Sequence, residues 1–160
     1  MEPFVLDEID RKILDWLQED SSITNVELAR RLGLAPATSL DRVKKLKQRG
    51  VITGHVVLVD PARVGKGTTA FISVALASHQ ADLVKQFRDS VSALPEVLEC
   101  HHISGEYDYL LKVVAEDIRR YEDFLLGKLV ATPNVGKIHT SFVLSTVKHK
   151  TKIPVVKRET

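Results

Sequence analysis

The chain has 160 residues, 44% of them apolar, 28% charged and 6% aromatic, with a formal net charge of +2. That balance is typical of an ordinary globular chain of one or two small domains and excludes a collagen or a low-complexity disordered protein. Its apolar runs are only a few residues long, against the roughly 20 that cross a bilayer. The opening Met1-Glu2-Pro3-Phe4 lacks the order of a signal peptide. The single cysteine, Cys100, has no partner for an internal disulfide. The expectation is a soluble, cytoplasmic chain.

Leu6, Ile9, Ile13, Leu14 and Leu17 recur at helical spacing and predict an amphipathic helix over about 7–19. Asp20-Ser21-Ser22 interrupts it. Asn25 is the expected N-cap of a short second helix over Val26 to Leu32, which Gly33 ends. Pro36 suits the first turn of a third helix running to Arg49, with Gly50 after it. Val51-Ile52 and His55 to Val59 read as a short two-stranded wing. Three helices, the last two joined by a tight turn, followed by a wing form a winged helix-turn-helix pattern over 1–60.

Residues 61–68, with Pro61, Gly65 and Gly67, read as a linker. Beyond it the pattern predicts strand Thr69–Ala77, helix Ala81–Leu94, strands Val97–Ile103 and Tyr107–Ala115, helix Asp117–Val130 and strand Lys137–Val147. This βαββαβ order is that of a ferredoxin-like domain over 69–150, so the fold class is α+β. Its two helices cover one sheet face. The strand 107–115 is apolar on both faces, with Tyr109, Leu111 and Val113 on one and Leu110 and Val114 on the other. A homodimer through the second face is therefore expected. Residues 151–160 are left as a basic tail.

Charge is segregated along the chain. Residues 1–29 carry two basic and eight acidic side chains, a net −6; residues 30–50 carry seven basic and one acidic, +6; residues 147–160 carry five basic and one acidic, +4. A positive stretch on a third helix is what a polyanion requires. If Leu40, Val43 and Leu46 pack inward, the other side presents Thr38, Asp41, Arg42, Lys45 and Arg49, with Ala37 and Gln48 beside them. Thr38 and Arg42, near the helix start, are then placed for base edges, and Arg42 could bond a guanine bidentately. Lys44, Lys45, Lys47 and Arg49 are expected on phosphates. Cys100, His101 and His102 are adjacent on a strand, so at most two of them share a face and no metal site is expected. Gly65-x-Gly67 lacks the third glycine and the helix of a dinucleotide fingerprint, and no cofactor is expected.

The segments Leu6-Asp7-Glu8-Ile9-Asp10-Arg11-Lys12-Ile13-Leu14, Asn25-Val26-Glu27-Leu28-Ala29, Arg42-Val43-Lys44-Lys45-Leu46 with Gly50-Val51-Ile52, Glu99-Cys100-His101 and Gly105-Glu106-Tyr107-Asp108-Tyr109-Leu110 occur in this order and spacing. In that arrangement the chain resembles the Lrp/AsnC, or feast/famine, family of transcriptional regulators. The resemblance implies a regulator, not an enzyme, that binds double-stranded DNA and responds to a small effector, an amino acid. It also implies a dimer that assembles further, often to an octamer. It places the effector near Gly105, Glu106, Tyr107, Asp108 and Tyr109, with Thr140 and Ser141 of the last strand as further candidates. That placement is physically sensible, because Gly105 admits close backbone approach and Asp108 offers a carboxylate to an ammonium group. At the recognition helix the chain departs from many relatives, with Ala35 where a serine cap is common, which should cost about 1 kcal/mol of local stability. Two other readings stand beside this one: an enzyme resembling siroheme decarboxylases on the same fold, and an architectural DNA-binding protein with no effector.

Overall fold

The computed structural model describes residues 5–155, so Met1–Phe4 and the end of the basic tail lie outside the described residues. The chain divides into two units, residues 1–57 with 148–160 and residues 58–147. The units differ from the boundaries expected above, with 58–60 in the C-terminal unit and 148–150 in the N-terminal one. The linker 61–68, with its 3-10 turn Ala62–Val64, belongs to the C-terminal unit, and the tail belongs to the N-terminal one.

The N-terminal unit holds three helices, α1 (Glu8–Glu19), α2 (Asn25–Leu32) and α3 (Pro36–Gln48). Asp7 caps α1 by accepting the Asp10 N–H at 2.7 Å. The cap of α2 is Thr24, not Asn25: the Thr24 hydroxyl accepts the Glu27 N–H, and the Asn25 side chain instead reaches across to donate to the Pro36 carbonyl at 2.8 Å. An N-cap position one residue earlier serves the helix equally well, and it frees Asn25 to tie α2 to the start of α3. Gly33, at φ 65, closes α2 with the left-handed turn that glycine adopts without strain. Ile13, Leu14, Leu28 and Leu46 form the core, and Val43, Leu17, Ile23 and Ile52 pack around it. No strand forms over 51–59, so the expected two-stranded wing is absent as regular structure. The Val51 and Ile52 N–H groups both donate to the Leu46 carbonyl and end α3, and Val56 to Val59 are exposed without ladder partners.

The C-terminal unit is the expected βαββαβ. Strands β1 (Thr68–Leu76), β2 (Val97–His102), β3 (Tyr109–Ala115) and β4 (Val135–Phe142) form one antiparallel sheet in the order β2-β3-β1-β4. Helices α4 (Ala81–Ser92) and α5 (Ile118–Phe124) cover one face, and α5 passes into a π-helical turn, Leu125–Leu129, where an unbroken helix was expected. Alternate residues make the core: Ala70, Ile72, Val74 and Leu76 of β1 and Tyr109, Leu111, Val113 and Ala115 of β3 pack on Phe87, Val91, Tyr121, Phe124 and Leu129. β4 ends at Phe142, five residues before the expected Val147.

Gly136, between Val135 paired with Leu76 and Lys137 paired with Ala75, is the extra residue at a register shift near the start of β4. A Cβ there would lie 2.9 Å from the Ala75 carbonyl oxygen and 3.0 Å from the Ala77 nitrogen, both backbone atoms that cannot swing away. Gly136→Ala is therefore expected to destabilise the C-terminal unit by about 1–3 kcal/mol, read as a lower urea midpoint in near-ultraviolet circular dichroism.

Candidate DNA-binding and effector sites

The inward face of α3 is Ser39, Val43 and Leu46, with Ser39 and Leu46 buried. Leu40, expected in the core, is 41% exposed, because the small Ser39 side chain occupies the contact instead and turns the helix by about one position. The outward row is consequently Ala37, Asp41, Lys44 and Gln48, flanked by Thr38 and Lys45 on one side and Lys47 on the other, all of them exposed. Arg49 is exposed just past the end of the helix. At its start, Ala35 supplies no capping side chain and Pro36 no N–H. The Ala37 and Thr38 N–H groups thus face outward at the positive end of the helix, where an anion is favoured.

Arg42 does not join that row. Its guanidinium donates to Asp7 at 2.6 Å and to Asp10 at 2.8 Å, and its side chain is only 28% exposed. It sits on the flank nearest α1, held between a capping carboxylate and the largely buried Asp10. Burial pushes the Asp7 carboxyl up, but the Asp10 N–H and the Arg42 guanidinium outweigh it and hold it below its ordinary value. Asp7, Asp10 and Arg42 thus tie α1 to α3, and Arg42, expected at a base edge, is engaged in this bridge within the folded chain. On α2, Glu27 accepts from Arg30 and Arg31, which together pull its carboxyl down to about 2. Two of the basic charges that precede α3 are thereby engaged within α2.

The residues expected at the effector site separate into several environments. Gly105, at φ 123, and Glu106 are exposed in the loop between β2 and β3. Glu106 pairs with Lys137 at 2.7 Å, and the Lys137 ammonium lies 5.2 Å from the centre of the Tyr107 ring, with His139 beside it. Asp108 is turned toward the β1 terminus. One of its oxygens accepts the Leu76 N–H at 2.7 Å and the other meets His79 Nε2 at 2.8 Å; the Leu76 N–H first, then His79, keep its carboxyl below the usual range. Tyr109 is buried against Phe87 and His102 and belongs to the core. Thr140 and Ser141, neighbours on β4, point to opposite faces: Thr140 bonds the Tyr121 hydroxyl on the helix side, and Ser141 lies on the other face opposite Phe71. Within one copy of the chain the seven residues do not share one face.

His79, Lys137 and His139 were not singled out by the sequence. They come from the β1–α4 loop and from β4, and only the sheet order brings them beside the 105–108 loop. Among the described residues, no three His, Cys, Asp or Glu side chains gather as metal ligands. No helix there is long and apolar enough to cross a membrane.

A helix-turn-helix unit followed by this βαββαβ unit has known counterparts. The sequence model of winged helix-turn-helix DNA-binding domains matches residues 6–53, and that of the Lrp/AsnC ligand binding domain matches residues 69–153. The chain belongs to the Lrp/AsnC family of transcriptional regulators. It is 37% identical over 153 residues to the leucine-responsive regulatory protein of Escherichia coli, covering 96% of this chain and 93% of that one. It is 35% identical over 151 residues to the transcriptional regulator AzlB of Bacillus subtilis, covering 94% and 96%. Among solved structures, a transcriptional regulator of Neisseria meningitidis in complex with L-Met superposes with a TM-score of 0.89 at 39% identity, over 94% of this chain and 97% of that one. Escherichia coli AsnC does so with a TM-score of 0.86 at 30% identity, over 93% and 99%. In this Lrp/AsnC member, then, the helix-turn-helix is carried by the unit whose α3 bears the basic row.

Arg42→Ala should lower the stability of the N-terminal unit by about 1–2 kcal/mol, since part of the bridge faces water. The Asp7 carboxyl has a lower pKa folded than unfolded, so its contribution is fully present above the unfolded value and fades as pH falls through the folded one. Acid titration of Trp16 fluorescence should therefore show a shallower loss of stability below about pH 4 in Arg42→Ala than in the wild type.

Proposed function

We propose that the protein is a cytoplasmic, homo-oligomeric regulator that binds duplex DNA through α3 and changes its DNA affinity or assembly when an amino acid binds beside the 105–108 loop. The observation that carries the first half is the exposed outward side of α3 with Thr38, Lys44, Lys45 and Lys47, together with its uncapped N-terminus. Phosphates meet the Ala37 and Thr38 N–H groups and the lysines, and Arg49 at the helix end joins them. Base edges are read by Thr38 and the nearby Asp41, with Gln48 at the other end of α3. Arg42 acts as a positioning residue.

The second half rests on Asp108 and on the relative from Neisseria meningitidis, whose structure contains L-Met. The ammonium of an amino acid would take the place of His79 on Asp108, while Lys137 leaves Glu106 to meet the carboxylate. Each exchange swaps one charge-assisted contact for another, so the loop reorganises at modest cost. A homodimer is favoured by the second sheet face, where the exposed Phe71 and the half-buried Leu110 lie beside the Glu99–Lys112 ion pair.

The decisive experiment is binding of the purified protein to its own upstream region at two salt concentrations, with and without a mixture of the twenty amino acids. Salt-sensitive, sequence-preferring binding that the mixture alters is expected, and binding that ignores sequence and mixture alike would defeat the reading. Lys45→Ala should weaken binding to all DNA equally and reduce the slope of log K against log salt by about one. Thr38→Ala should instead change sequence preference. Asp108→Ala should abolish the response to the mixture while DNA binding persists, as read by fluorescence anisotropy.

A further inference from the structure

The basic C-terminal segment is engaged in the N-terminal unit. The Gln18 side chain donates to the Ile153 carbonyl at 3.1 Å and accepts the Ile153 N–H at 2.7 Å, as a neighbouring strand would. Lys152 pairs with Glu19 at 2.7 Å and with Asp15 at 3.2 Å. Val155 packs, half-buried, against the Ile13, Leu14, Leu28 and Leu46 core. All three contacts fall on or under α1. Charge supports them, since residues 1–29 carry a net −6 and residues 147–160 a net +4.

The consequence is topological. The chain passes from the N-terminal unit into the sheet unit after Val57 and back again after Val147, so two covalent connections join the units. The second begins at β4, the strand that carries Lys137, His139 and Thr140, and reaches α1 through residues 143–151, which form neither helix nor strand. Because α1 also holds Asp7 and Asp10, it is the helix that fixes Arg42 and with it α3.

We propose that residues 152–155 are a strap that couples the sheet unit to the DNA-binding unit, so that a change at the end of β4 is delivered to α1 and through the Arg42 bridge to α3. The regulatory half of this proposal rests on the effector reading above; the mechanical half does not.

The amino acids supply the probes. Trp16, the single tryptophan, lies in the N-terminal unit, and all three tyrosines, Tyr107, Tyr109 and Tyr121, lie in the sheet unit. Urea unfolding of the full-length protein is followed by Trp16 fluorescence and by tyrosine near-ultraviolet circular dichroism. The wild type is expected to give coincident midpoints. Lys152→Glu, which sets a third carboxylate against Asp15 and Glu19, should split them, with the Trp16 signal lost at lower urea. Val155→Asp should do the same through the core. The double variant Glu19→Lys with Lys152→Glu keeps the wild-type net charge and reverses the pair, and it should bring the midpoints back toward coincidence. Separate midpoints already in the wild type, or coincident ones in both single variants, overturn the strap, as does a double variant no better than Lys152→Glu. In Lys152→Glu the change in DNA affinity caused by the amino-acid mixture should also shrink several-fold. A wild type whose DNA affinity ignores the mixture counts against the effector reading, and the unfolding comparison still decides the strap.

Discussion

Asp7 both closes α1 and aims α3. One of its oxygens accepts the Asp10 N–H and the other accepts Arg42, so the cap of the first helix and the pose of the third share one carboxylate. The rest of the N-terminal unit follows from that constraint. With Arg42 tied to α1 and Leu46 in the core, α3 has a single rotational setting, and its lysines face outward because no inward position remains for them. A basic residue expected at the DNA is thus what sets the outward pose of its neighbours on α3. The fully buried Ser39 has a related part, since a larger side chain there would hold α3 away from the core.

In the sheet unit the governing constraint is the pleat. Helices α4 and α5 bury one face, and every second residue of β1 and β3 is committed to that core. Polar chemistry is left to the other face and to the strand ends, where Asp108, His79, Glu106 and Lys137 meet. Of these groups His79, Glu106 and Lys137 are exposed, while the half-buried Asp108 also accepts the Leu76 N–H. Such pairs are individually weak and can be exchanged for a ligand's groups, whereas Tyr109, packed on Phe87, cannot be withdrawn without opening the core.

Much of the fold was legible from local pattern. The helical repeats of Ile9, Ile13 and Leu17 and of Leu83, Phe87 and Val91, the stops at Gly33 and Gly50, and the alternation along 69–77 and 109–115 each depend on residues a few positions apart. What failed also failed locally. Asn25 and Thr24 are both good caps, and the choice went to Thr24 because Asn25 is drawn to the Pro36 carbonyl. Leu40 looked like core by size, and Ser39 took the place because the helices pack closely there. Val56 to Val59 have the residues of a strand but pair with no strand among the described residues.

The candidate sites divide in the same way. The segregation of charge, the basic third helix and the Gly105 to Tyr109 segment could be read from the sequence, because composition and spacing are properties of the chain itself. Arg42 on Asp7 and Asp10, His79 on Asp108, Lys137 on Glu106 and Gln18 on Ile153 could not. These pairs join residues tens of positions apart, more than a hundred in the last case, and they exist only once the helices have packed, the sheet has its order and the tail has returned to α1. Sequence alone determined which residues were charged, apolar or free to turn. Tertiary structure decided which of the charges remained available to a partner, because a charge is available only if folding has not already brought an opposite one within reach.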